Sequence, residues 1–212
     1  MGKIRARTEG EIAARKADIL CAAAQQLMQN GYDAITLATL AAATSISRTS
    51  IYTYYEKKED VLVELMIQEY RTLEKALAIR FAEKMSREDF CRELTDVLFA
   101  QPVLLKLLSL QLPVRDGQYS DAMMQRFVDA TVPYAQTLRR VLAFQFPDAH
   151  EDARERFMIQ LTMYVNTLYV ADHLPVRLRQ AMEESRYIGR IPDAKKICLE
   201  GLLLLSAAMA ES

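Results

Sequence analysis

Glycine and proline are scarce in this sequence, six of each in 212 residues, about half the roughly 12% combined share of an average protein. Turns should be few and the elements between them long. Cysteine is nearly absent too: Cys21, Cys91 and Cys198 lie far apart, with no CxxC or metal-ligand spacing. They read as reduced, buried thiols of a cytosolic protein. The two histidines, His150 and His173, are isolated, so no metal site is expected, and "DAHED" at 148–152 reads as a helix start. No unbroken apolar run approaches the roughly 18 residues of a membrane span. The opening "MGKIRARTEGE" has no apolar core of a secretory signal, and a cytoplasmic location is expected.

Motifs of catalysis are missing as well. There is no GxSxG, no glycine-rich phosphate loop, no HExxH and no DDxxD, which leaves a small helical-bundle enzyme as a remote alternative and calls for no cofactor. What is present is 51% hydrophobic residues, enough for a sizeable core. Ala, Leu, Met, Glu, Arg and Gln are abundant, the composition of an all-helical chain. The net charge of −1 hides an asymmetry: residues 1–58 hold eight basic and five acidic side chains, a net of +3, against −4 for the rest. A polyanion would bind at this mildly basic head.

The first helix is predicted from about Glu9 to Asn30, with Ile12, Ile19, Ala23 and Leu27 on one face, widened by Leu20, Ala24 and Met28. Asn30-Gly31 is its natural stop. Thr36 should cap the short segment "LATLAAA", and after a break at Thr44-Ser45 a second short helix is expected from Ser47 to about Tyr54. Lys57-Lys58 opens a long helix through about Met85. Later helices should begin at Ser86, at Pro102 (ended by Pro113 and Gly117), at Ser120, and at Asp148 with Glu151 at capping-box spacing. Pro133 should kink the Ser120 helix or mark its first turn. A looser "SRYIGRIPD" segment leads to the last helix, "AKKICLEGLLLLSAAMA".

Two short helices a few residues apart, braced by a longer one in front, have the plan of a helix-turn-helix. The second must be dry on one side and wet on the other. Ile46 and Ile51 can anchor it, with Tyr55 closing the core, while Ser47, Arg48, Thr49, Ser50, Thr53 and Tyr54 remain outside or at the rim. Small hydroxyls reach phosphates and bases without holding a helix out of the groove, and Arg48 can span guanine O6 and N7.

The stretch "ILCAAAQQLMQNGYDAITLATLAAATSISRTSIYTYYEKKEDVL" resembles the DNA-binding domain of TetR-family regulators over roughly residues 12–65. It shares the alanine pattern of the first helix, the Gly-Tyr pair, the Thr before the second helix and the Ile-Tyr-x-Tyr-Tyr-x-x-Lys-Glu ending. The resemblance implies phosphate contacts from Thr36 and Tyr54, base contacts from Arg48 and Thr49, a backbone or thymine-methyl contact from Tyr52, and a phosphate contact from Lys58. Two departures stand out. Ser45 occupies the family's glycine position in the turn, where a left-handed serine would cost on the order of 1 kcal/mol; either the turn differs slightly or it tolerates that strain. Leu37 and Ala38 leave the second helix few polar groups, so specificity would rest on the third, helped by an arm of Lys3, Arg5 and Arg7.

The expected architecture is therefore all-α, with about nine helices: an arm and helix-turn-helix domain over residues 1–58, and a larger regulatory bundle over 59–212. The last helix is apolar on every side from Gly201 to Met209, which a second subunit could cover. The resemblance likewise implies a two-fold homodimer through the last two long helices, with Leu161, Leu168, Gly201, Leu204, Leu205 and Ala208 as interface candidates. It further implies an inverted-repeat operator of double-stranded DNA and a small-molecule effector, partly apolar. Candidate pocket walls are Phe99, Met123, Met124, Phe127, Tyr134, Tyr164 and Tyr169, with Gln160, Asn166 and His173 to orient a ligand. The reading is a ligand-released repressor that is not an enzyme and has no membrane partner. A DNA-organising protein with the same head is its alternative.

Overall fold

The computed structural model describes residues 8–111, 121–185 and 193–209, and among them there are ten α-helices and no strand. They are α1 (Glu9–Asn30), α2 (Leu37–Ala42), α3 (Arg48–Ile51), α4 (Lys58–Arg80), α5 (Arg87–Phe99), α6 (Pro102–Ser109), α7 (Asp121–Gln145), α8 (Glu151–Asp172), α9 (Val176–Glu184) and α10 (Ala194–Ala207). The chain divides into two compact units, residues 1–68 with 112–127, and residues 69–111 with 128–212.

In the first unit, α1 starts at Thr8, whose hydroxyl accepts from the Glu11 N–H while the Glu11 carboxylate accepts from the Thr8 N–H. That reciprocal pair satisfies two of the four orphan donors of a helix start. The helix ends at Gly31, with φ 81° and ψ 175°, a conformation that is open in practice to glycine alone. Ile19, Ala23 and Leu27 are fully buried as the periodicity predicts, but Ile12, in the first turn, is exposed. Cys21 is exposed as well, against the expectation of three buried thiols. It falls between the buried Ile19–Leu20 and Ala22–Ala23 pairs, on the outer side of α1.

The second unit is built around Phe90 of α5, which has no exposed surface and meets the rings of Phe81 (5.0 Å), Phe146 (5.0 Å, edge-on) and Phe157 (6.3 Å). Helix α10 packs on α5 and α8, and α6 packs on α8. Buried Gln145 completes this end of the core: its amide donates to the carbonyls of Phe81 and Glu83 and accepts from the Met85 N–H. One side chain thereby satisfies the backbone that leaves α4, which buried polar groups require. Cys91 and Cys198 lie within this core, and burial pushes the Cys198 thiol up to about 11.

Several element boundaries differ from expectation. Helix α4 stops at Arg80, five residues before Met85, because Phe81 turns into the core. Pro133 lies well inside α7, which runs on past it to Gln145. Helix α8 is capped by His150, whose Nδ1 accepts from the Asp152 N–H at 3.3 Å, so Asp148 is not the cap. Helix α9 was not expected and brings the described helices to ten; it buries none of its side chains. The arm Lys3, Arg5 and Arg7, the cap Ser120, the stops Pro113 and Gly117, and most of "SRYIGRIPD" lie outside the described residues.

Candidate nucleic-acid interface

Helix α2 is held by its own cap and by α1. The Thr36 hydroxyl accepts from the Thr39 N–H at 3.0 Å, and the Thr39 hydroxyl accepts from the Thr36 N–H at 3.0 Å. Gln26 of α1 then reaches across, donating to the Thr39 carbonyl and accepting from the Thr39 hydroxyl, both at 2.9 Å. Leu37, Leu40 and Ala41 point inward. Thr36 itself is exposed.

The turn into α3 needs no left-handed residue. Among the described residues Gln111 is the only non-glycine with positive φ, so Ser45 carries no strain. The Thr44 hydroxyl donates to the Leu40 carbonyl at 3.1 Å and accepts from the Ile46 N–H at 3.4 Å, and Arg15 of α1 donates to the Ser45 hydroxyl at 2.5 Å. Side-chain bonds shape this turn where the family's pattern relies on glycine.

Helix α3 is shorter than expected. Ser47 is its N-cap, accepting from the Ser50 N–H at 3.1 Å and donating to the Ser50 hydroxyl at 2.7 Å. After Ile51 the chain tightens, with Thr53 N–H bonded to the Ser50 carbonyl and Tyr54 N–H to that of Ile51, the i→i−3 pattern that commonly ends a helix. Ile46, Ile51 and Tyr55 are buried, whereas Ser47, Arg48, Thr49, Tyr52 and Thr53 are exposed and Ser50 and Tyr54 half-buried. The wet and dry sides are those read from the sequence. Two of the hydroxyls, on Ser47 and Ser50, serve the cap, and that of Thr53 donates to the Ser50 carbonyl at 2.7 Å. Arg48, Thr49 and Tyr52 project from the face.

Lys58 is placed differently from a bare phosphate clamp. Its ammonium donates to the Tyr32 carbonyl at 3.2 Å and sits 3.9 Å from the centre of the Tyr32 ring, while the Tyr32 hydroxyl donates to Glu59 at 2.7 Å. This pair fixes the start of α4 onto the turn after α1. Deeper in the unit, Glu64 accepts from Lys16 of α1 (3.1 Å) and Arg126 of α7 (3.0 Å). Burial opposes ionisation of Glu64, but the hydrogen bonds from Arg126 and Lys16 outweigh it and hold its pKa below the usual carboxylate value. Tyr55 lies beside this carboxylate, and burial followed by the Glu64 charge raises its pKa strongly. A cavity of about 270 Å³ opens here, lined in part by Lys16, Tyr55, Glu64, Met123 and Arg126.

A braced helix-turn-helix with a polar face is shared by many DNA-binding folds, and sequence comparison decides among them. The Tetracyclin repressor-like C-terminal domain model matches residues 67–205, well over half of the chain, and the model for bacterial regulatory proteins of the tetR family matches residues 19–65. The chain belongs to the TetR family. Its fold is that of solved TetR-family structures. The fatty acid degradation regulator FadR from Bacillus halodurans is 18% identical, with a TM-score of 0.57 and 90% of this chain and 93% of that one covered. FadR from Bacillus subtilis, in complex with stearoyl-CoA, is 18% identical, with a TM-score of 0.58 and coverage of 91% and 98%. A tetR-family regulator from Rhodococcus RHA1 is 16% identical, with a TM-score of 0.60 and coverage of 92% and 96%. A comparison with curated proteins found no match.

The regulatory residues expected of a TetR-family protein are scattered. Met123, Met124 and Phe127 belong to the first unit and the other pocket candidates to the second. Tyr134 packs against Tyr70 at 5.1 Å, and both hydroxyls are raised by burial, that of Tyr70 to about 12. Phe99, Gln160 and Asn166 are half-buried. Tyr169 stacks on His173 at 4.0 Å, and His173 is exposed at the end of α8. Tyr164 donates to the Ile197 carbonyl at 2.8 Å, its ring lying over Gly201. Of the interface candidates, Leu161 and Leu168 are buried within the chain's own core, whereas Leu204 is 78% exposed. Gly201 and Leu205 are half-buried and Ala208 exposed. The outward side of α8 carries Ile159, Met163 and Val170 instead, residues that the sequence reading passed over although they recur at helical spacing. Among the described residues no group of His, Cys, Asp or Glu could hold a metal ion, and no helix is long and apolar enough to cross a membrane.

Proposed function

We propose that this TetR-family regulator is a homodimeric repressor that binds an inverted-repeat operator and is released by a partly apolar small molecule. The observation that carries the reading is the α3 face: Arg48, Thr49 and Tyr52 exposed above the dry Ile46, Ile51 and Tyr55. In this assignment Arg48 and Thr49 meet base edges, Tyr52 meets a thymine methyl or the backbone, and Thr36, Tyr54 and the hydroxyls of Ser47, Ser50 and Thr53 meet phosphates. An ammonium has three donors. Lys58 can therefore keep its bond to the Tyr32 carbonyl and still contact a phosphate.

The dimer reading is supported by large apolar side chains left in water on two helices, Ile159, Met163 and Val170 of α8 and Leu204 of α10. Large apolar side chains left exposed together mark association surfaces, and two-fold symmetry would set two recognition helices on successive turns of DNA. The effector reading draws on the family and on the B. subtilis FadR complex with stearoyl-CoA, with α4 as the transmitting element because it runs unbroken from Lys58 to Arg80.

Selection of bound DNA from a random pool tests this reading. It should return an inverted repeat whose binding weakens steeply with salt. Arg48→Ala should cost about 1–3 kcal/mol and relax preference at one base pair, and Leu204→Glu should yield monomers in sedimentation. A pool that converges on no sequence, or an Arg48→Ala protein with unchanged preference, refutes the assignment.

A further inference from the structure

A groove in the second unit, apart from all the candidates above, has the walls of a ligand site. It has a volume of about 260 Å³ and runs between the last turns of α4 and α7, over Ala78, Phe81, Ala82, Val141 and Phe144. Ala78 lies in the last turn of α4 and Ala82 just past its end, both small and exposed, so the floor is low where a larger side chain would have filled it. Phe144 forms a wall and is 48% exposed, a large aromatic surface left open on the groove side.

At the rim stands Arg140, one turn before Phe144 and hence on the same face of α7. Its neighbour Arg139 has a carboxylate, Glu155 at 2.6 Å. Arg140 has none among the described residues: it donates only to the Thr137 hydroxyl at 2.8 Å, which itself donates to Glu74 at 3.2 Å. A guanidinium carries five donors in a planar fork that fits a carboxylate or phosphate. A second cation, Lys84, donates to the Phe144 carbonyl at 3.3 Å.

From this pairing of an apolar trough with an unmatched guanidinium, we propose that the α4–α7 groove binds a short amphiphilic anion, its chain along Ala78, Ala82 and Phe144 and its headgroup on Arg140. The volume is below the roughly 300–1,000 Å³ of sites for drug-sized ligands, which suits a short chain and excludes a helix or strand of another protein. The site does not depend on the repressor reading, because binding can be measured without DNA.

The test is calorimetric titration of the full chain with sodium octanoate, octyl phosphate and 1-octanol, all kept below micelle formation. Saturable binding of at least one anion is expected, with octanol about tenfold weaker or more, and the tighter anion identifies the headgroup. Arg140→Gln should weaken the anions about tenfold while leaving octanol unchanged, and Ala78→Leu, which fills the trough from an exposed helix position, should abolish all three. Phe144→Ala serves as the second groove variant and should weaken all three ligands. Failure of both anions to saturate overturns the proposal. So does anion binding that is indifferent to Arg140→Gln, Ala78→Leu and Phe144→Ala, or a change of sedimenting mass in Ala78→Leu, which would make the groove an interface between copies.

Discussion

Replacing Gly201 by alanine should reveal how closely α8 and α10 are fitted. A Cβ at this position would lie 2.6 Å from the Tyr164 Oη, 2.7 Å from its Cζ and 2.9 Å from its Cε1, against the roughly 3.5–4.0 Å of a comfortable contact. The ring must retreat by about 1 Å, and in doing so it bends or breaks the bond from its hydroxyl to the Ile197 carbonyl. Overpacking costs about 1–3 kcal/mol and a lost hydrogen bond about 0.5–1.5 kcal/mol. The gain from replacing a mid-helix glycine by alanine is about 1 kcal/mol. Gly201→Ala should therefore destabilise by about 0.5–3.5 kcal/mol. In a Tyr164→Ala background the clash and the bond are both gone, only the helix gain remains, and the same change should stabilise by about 1 kcal/mol. Urea unfolding followed by far-UV circular dichroism, at one fixed protomer concentration, gives all four midpoints of this cycle. The diagnostic is the change of sign. If Gly201→Ala destabilises both backgrounds alike, Tyr164 is not what the glycine makes room for, and the small residue serves something other than the packing of α8 on α10.

Glu64 supplies a pH test. Its folded pKa lies below the ordinary value of 4.5, so its contribution to stability is present above about pH 4.5 and is lost as the pH falls through the folded value. Glu64→Gln should be less stable than the parent at pH 7, and the gap should narrow in urea midpoints taken near pH 3.5; a gap independent of pH would show that the Lys16–Glu64–Arg126 cluster stores no such free energy. Ser45→Gly, which restores the family's residue, should cost about 0.5–1 kcal/mol, because it gives up the Arg15 bond and adds backbone freedom without relieving any strain. A stabilised Ser45→Gly protein would mean that the turn is strained after all.

The caps and the buried and exposed sides of α3 were legible because they rest on local rules. Thr36 and Ser47 are caps, and caps announce themselves by residue type just before an apolar period. Ile46, Ile51 and Tyr55 against Arg48, Thr49 and Tyr52 follow from one side of a helix having to be dry and the other wet. Lys58 was less legible, because nothing in its neighbours says that Tyr32, in a different loop, will receive its ammonium. Ser45 stayed open between a different turn and a strained one for a related reason: its Arg15 partner lies thirty residues earlier in the chain, and without that bond the position looks like one that lacks its glycine.

The second unit shows where periodicity stops discriminating. On α8, Phe157, Leu161, Val165 and Leu168 form one stripe at helical spacing, and all four are buried in the chain's own core. Ile159, Met163 and Val170 form another with the same spacing and the same kind of side chain, and all three are exposed. A sequence reader sees two equal stripes and has no physical reason to send one inward. The choice is made by neighbours, chiefly the packing of α6 and α10 on one side of α8. Helix α10 repeats the ambiguity, with Cys198, Leu202 and Ser206 inside and Leu204 outside. Apolar character on every side says that more than one partner surface is needed, and only the fold shows which surface the chain has already covered for itself. What it leaves uncovered on α8 and α10 is large, apolar and exposed to water, a combination that a monomer rarely keeps. The free-energy argument for a second subunit is therefore stronger from Ile159, Met163, Val170 and Leu204 than from Leu161 and Leu168, whose burial is complete without one.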